Sequence, residues 1–214
     1  MITTDCIHCD ELSAAIEAAH EHALRELTDG SDLQAVSWLA AHLAAVEDVV
    51  DGLLRAHSIA TPGELRERRA AHRRLQRELR VFEQALAGDA LAARVGIASC
   101  RERVVAALAE HAVDEHVLLD RLGRAIGAEA AALAAVRYRD ALASGPTRPH
   151  PHLPSALPVI GAVVRRAARA RDHVLDVLDG RHNPLPRTRK PHGEPGRWGH
   201  YLLGMPQHRD HTTE

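Results

Sequence analysis

Residues 104–122 read VVAALAEHAVDEHVLLDRL, in which Val104, Leu108, His111, Glu115, Leu118 and Leu122 recur at three- and four-residue spacing. That period puts all of them on one face of an α-helix, the face a helix turns toward a core. A histidine and a carboxylate therefore stand one turn apart among leucines. A buried glutamate without a partner costs several kcal/mol, so position 115 demands a cation, a hydrogen-bond donor set or a metal ion.

The same period extends toward the N-terminus. Thr61-Pro62 opens a helix whose seam is Leu65, Arg68, His72, Leu75, Leu79, Phe82 and Leu86, with His72 facing the axis. Ser31-Asp32 opens an earlier one that runs to about Ala56 with the stripe Val36, Leu39, Leu43, Val46, Val50 and Leu53. On it His42 sits with Leu39, Val46, Val49 and Leu53, and Glu47 lies on the adjoining edge with Leu43, Val50 and Leu54. A first helix carries Leu12, Ile16, Leu24 and Leu27 and stops at Thr28-Asp29-Gly30. There His20 lies on the apolar stripe, while His22, the alternative, points toward Arg25 and Glu26. Long amphipathic helices joined by short loops predict an all-α fold, an up-down antiparallel four-helix bundle over residues 10–127.

Beyond the bundle, residues 128–180 read as a helical C-terminal extension. A fifth helix is expected from Ala128 to Ser144, and the prolines of segment 145–155 force an extended strap. A further amphipathic helix through Leu157, Ile160, Val164, Leu175 and Leu178 ends at Gly180, and residues 181–214 read as a largely disordered tail.

Composition agrees with a helical globular chain. The 214 residues are 45% hydrophobic and 26% charged with a net charge of −2, and only 2% are aromatic, too few for a β-sandwich. Arginine far outnumbers lysine, but 29 acidic residues offset the 27 basic ones and no pure basic run occurs, so nucleic acid is not an expected partner. No long uncharged apolar run or basic leader stands out in the sequence, which makes a membrane partner unexpected and a cytoplasmic location the default. Three cysteines build no disulfide framework; Cys6-Ile-His-Cys9 alone is a weak zinc motif, and Cys100 reads as an inert small side chain.

Each of the four helices thus offers one seam histidine, and two add a carboxylate: His20, His42, Glu47, His72, His111 and Glu115. Imidazole and carboxylate donors on facing helices suit iron or manganese, without the thiolates of a structural zinc site. Two ions bridged by the carboxylates use these donors while leaving open positions.

These residues resemble the hemerythrin-like family of HHE cation-binding domains, in which a histidine helix and a His-x-x-x-Glu helix alternate. The element is His111-Ala-Val-Asp-Glu115 on the fourth helix and Ala71-His72-Arg-Arg-Leu75 on the third. On the second, His42-Leu-Ala-Ala-Val46-Glu47 has Val46 where the family has its first Glu. Gln76 stands where related oxygen carriers place another histidine. The resemblance covers residues 10 to about 127. It implies two non-haem iron ions with an oxo or hydroxo bridge, histidines as terminal ligands, and Glu47 and Glu115 as bridges. The implied function is binding or sensing of a small molecule such as O2, NO or peroxide, rather than catalysis.

Plainer readings stand beside this one. A metal-free helical interaction protein with a decayed site would leave the seam histidines hydrogen-bonded to one another and failing to converge. An enzyme that reduces NO or destroys peroxide needs the same site. His116 and Asp120 read as a solvated or supporting pair, His57 as a helix cap, and the tail histidines as adventitious metal binders.

Overall fold

Thr61 Oγ1 accepts a hydrogen bond from the Glu64 N–H at 3.2 Å while Glu64 Oε2 accepts from the Thr61 N–H at 2.7 Å. This reciprocal cap, with Pro62 in the first turn, fixes where a helix begins. The computed structural model describes residues 9–90, 92–150, 171–172 and 175–176. Among them the helices are α1 (Cys9–Asp29), α2 (Asp32–Ala56), α3 (Pro62–Leu86), α4 (Ile97–Ala125) and α5 (Ala128–Ala143), with a short 3-10 turn at Ala92–Arg94. No strand occurs among the described residues, and the fold class is all-α. Apart from residues 171–172 and 175–176, which are helical, the expected helix after the strap lies outside the described residues, as do the tail and Cys6.

α1 packs on α2, α4 and α5; α2 also packs on α3 and α5; α3 packs on α4. Helix α2 is therefore covered around most of its circumference, and Ala35 to Leu43 are all buried. It is the one helix among the described residues long and apolar enough to cross a membrane, and 67% of that apolar window is buried inside the protein. A helix that is apolar on nearly every face belongs in the middle of a core.

Charged pairs clamp the helix ends. Arg101 on α4 donates to both oxygens of Asp32 at the start of α2, at 2.9 and 2.6 Å. Arg103 reaches Glu78 near the end of α3 at 2.7 Å, and Arg121 reaches Glu64 at the start of α3 at 2.7 Å. Ile16, Leu39, Leu43, Leu75, Leu79, Phe82, Leu108 and Leu122 fill the interior between them.

After α5 the chain turns back onto α2. A Cβ on Gly145 would stand 2.8 Å from Ala41 Cα, closer than side-chain carbons come to a backbone, so only glycine fits there. Arg148 then bonds Glu83 of α3 at 3.1 Å, His150 bonds Asp172 at 2.8 Å, and Thr147 bonds Asp176. The described beginning of the strap is thus held to α2, to α3 and to residues 172 and 176 by polar contacts.

Candidate metal centre

Four seam positions on three helices meet at one point. His20 (α1), His42 (α2), His111 and Glu115 (α4) each offer a ligand atom, all within 4.8 Å of one another and all buried. His42 Nε2 stands 3.0 Å from His20 Nε2 and 3.2 Å from His111 Nε2. Glu115 Oε2 faces the same point, 3.2 Å from His20, 3.4 Å from His42 and 3.3 Å from His111.

These separations carry information. Donors about 2.1 Å from a central ion stand about 3.0 Å apart at right angles and about 3.4 Å apart in a tetrahedron. Five of the six edges are 3.0–3.4 Å and the whole set lies within 4.8 Å, spacings that a coordination sphere would have and that hydrogen-bonded nitrogens and oxygens share.

Protonation suits ligation. Burial pushes His42 down to about 4, with Glu115 only partly offsetting it, so this ring is neutral near pH 7. Burial opposes charge on Glu115 as well, yet the neighbouring His111, His20 and His42 hold its carboxyl well below the usual range. The set is thus an anionic oxygen with neutral His42 among three ring nitrogens, a mixed N/O donor set for a divalent transition metal.

The surroundings orient these donors. Tyr138 on α5 is fully buried, and its hydroxyl lies 2.7 Å from His42 Nδ1, which turns Nε2 toward the cluster. Burial, and then the Glu115 charge, raise the Tyr138 phenol well above its usual range, so it stays protonated. Arg68 on α3, 6% exposed, donates from Nη2 to Glu115 Oε1 at 2.7 Å and from Nε to Asp51 Oδ1 at 2.8 Å. A recess of about 30 Å³ opens between α3 and α4, with His111, Ala71, Leu75 and Ala107 in its wall and Arg74, Glu110 and Asp114 also lining it. That is room for one or two water-sized molecules.

Of the six residues singled out from sequence, His20, His42, His111 and Glu115 converge. His72 is buried beside them, its ring centroid 5.0 Å from that of His111, but it is not a member of the cluster. Burial, and then the Arg68 charge, push His72 well below its ordinary value, and neither ring nitrogen has a hydrogen-bond partner. Glu47 is half-buried and is not a member of the cluster. On an ideal helix position 47 lies about 140° round the axis from position 42, which is enough to miss the point where His42 aims.

His20 rather than His22 enters the cluster; His22 stacks on Trp38 at 4.2 Å and reaches Glu26 at 3.7 Å. His116 pairs with Glu17 at 3.5 Å on the surface, Asp120 with Arg124 at 2.7 Å, and His57 closes α2. Cys100 is buried and free.

Sequence reasoning missed Asp51 and Tyr138. For Asp51 a signal existed: an arginine at seam position 68 must find a carboxylate inside the protein. For Tyr138 the signal was a tyrosine on the fifth helix, whose hydroxyl needs a buried partner once its ring is covered. Compared with models of protein families, with characterised proteins and with solved structures, the chain gives no match.

Proposed function

We propose that the chain is a hemerythrin-like metal protein, an up-down antiparallel bundle of α1 to α4, that holds iron at His20, His42, His111 and Glu115 and binds a small molecule such as O2, NO or peroxide. The observation that carries this reading is the convergence of three imidazole Nε2 atoms and one carboxylate oxygen at ligand-to-ligand spacing in a buried core. The clamps support the bundle topology. Arg101 joins the beginnings of α4 and α2, whereas Arg103 and Arg121 join the beginning of α4 to the end of α3 and its end to the start of α3.

Four protein donors leave two positions open on a six-coordinate ion, and iron there would supply a redox-active centre for a small ligand. The chain's own residues do the rest. Tyr138 fixes the His42 ring, leucines exclude bulk water, and a small recess lies beside His111. The metal-free interaction reading expects seam histidines hydrogen-bonded to one another or to backbone and too far apart to converge; His42 does lie within hydrogen-bond distance of His20 and His111, while the convergence of all three with Glu115 favours the metal reading.

The test is anaerobic titration of the full-length, metal-stripped chain with Fe(II), comparing it with the His42→Ala and His111→Ala variants. Loss in the variants of iron that the parent retains after dialysis against a weak chelator is the expected result. Equal iron in all three, or none in the parent, overturns the proposal.

A further inference from the structure

The carboxylate that would bridge two ions already has its second oxygen engaged. Glu115 Oε1 accepts from Arg68 Nη2 at 2.7 Å, on the side away from the cluster that Oε2 faces. Arg68 is held there by a second carboxylate, since its Nε donates to Asp51 Oδ1 at 2.8 Å, and both Asp51 and Glu115 are fully buried. His72, one turn along α3 from Arg68, is buried with both ring nitrogens unpartnered.

Remove the guanidinium in thought, and its place is flanked by two buried carboxylate oxygens, Asp51 Oδ1 and Glu115 Oε1. These are ligand types for a metal ion, and one of the oxygens belongs to a carboxylate whose other oxygen serves the first site. Carboxylate-bridged pairs of ions stand about 3.5–4 Å apart, and a second ion on Glu115 Oε1 would have to displace the guanidinium or sit against its positive charge.

We propose that Arg68 permanently fills the seat of a second metal ion, so that the centre takes one ion, and that Asp51 Oδ1 and Glu115 Oε1, the two carboxylate oxygens it now bonds, form a latent second seat. This rests on the metal reading of the His20, His42, His111 and Glu115 cluster. Arg68 supplies a fixed positive charge to one oxygen of Glu115 and leaves the other for the ion. A guanidinium cannot be lost to chelators or change oxidation state. The site is thereby built for a single ion with a built-in cation beside it.

The experiment counts metal on the full-length chain. The metal-stripped protein is titrated with Co(II), washed with a weak chelator and analysed for cobalt. The His42→Ala/His111→Ala double variant serves as baseline for cobalt held elsewhere on the surface. The expected result is one equivalent above that baseline. Two equivalents overturn this proposal while leaving the metal reading intact; none overturns both. Arg68→Ala is expected to take up a second equivalent, which the added Asp51→Ala change removes. A folded Arg68→Ala protein that still takes one equivalent overturns the latent seat. Should Arg68→Ala fail to fold, Arg68→Lys keeps a cation between the carboxylates and must hold one equivalent; two would again overturn the proposal.

Discussion

Tyr138→Phe removes one oxygen from the protein and nothing else, and the local geometry sets the cost. The Tyr138 hydroxyl and His42 Nδ1 are 2.7 Å apart, both residues fully buried, so no water replaces the lost partner. With Nε2 committed to a metal, the neutral ring carries its proton on Nδ1 and donates to the tyrosine oxygen. In the metal-free protein the loss is that of a neutral hydrogen bond, about 1 kcal/mol, rising toward about 3 kcal/mol if the N–H is left unmatched. In the loaded protein the ring loses its orientation and some basicity as well, a change that costs about 10–100-fold in metal affinity. That factor corresponds to about 1.4–2.7 kcal/mol. The assay is a chelator competition on parent and variant, with urea unfolding of both metal-free proteins run in parallel. A variant that folds, loses stability as expected and binds metal as tightly as the parent would refute the assignment of His42 Nε2 as a ligand.

Two further outcomes concern the scaffold. Gly145→Ala would set a methyl group 2.8 Å from Ala41 Cα, and overpacking against a helix backbone costs about 1–3 kcal/mol; thermal unfolding should show the loss, and an unchanged midpoint would mean that the strap does not rest on α2. The Arg121 hydrogen bond, and then the Thr61 N–H, lower the Glu64 carboxyl from 4.5 to about 2. Because the folded value is the lower one, this contribution is fully present above the ordinary carboxylate range and disappears as pH falls from there toward about 2. Urea unfolding across that interval should therefore show a steeper acid loss in the parent than in Glu64→Gln, and identical slopes would count against the clamp.

The helices were legible in the sequence because their apolar period is strong and their ends carry chemistry. Thr61-Pro62 with Glu64 forms the expected cap, and α2 ends at Ala56 where the stripe stops. On α3 and α4, which each turn a polar face to water, the same period picked out His72, His111 and Glu115 as buried. It failed on α2 for a physical reason. A helix covered by neighbours on several sides has no single inward face, so the period could not distinguish Glu47 from Asp51 as the carboxylate that points at the polar core. Asp51 was decided by the reach of an arginine on another helix, and Tyr138 by the way α5 docks, neither of which local spacing encodes.

The position of α5 has a practical corollary for anyone trimming this chain. It lies against α1 and α2 and buries Ala131, Ala134, Ala135, Tyr138 and Leu142 there. A fragment cut at the close of α4 would keep every histidine and glutamate of the cluster, yet strip the cover from two helices and orphan the ring of His42. The last donor residue therefore does not mark where the cover of the cluster ends.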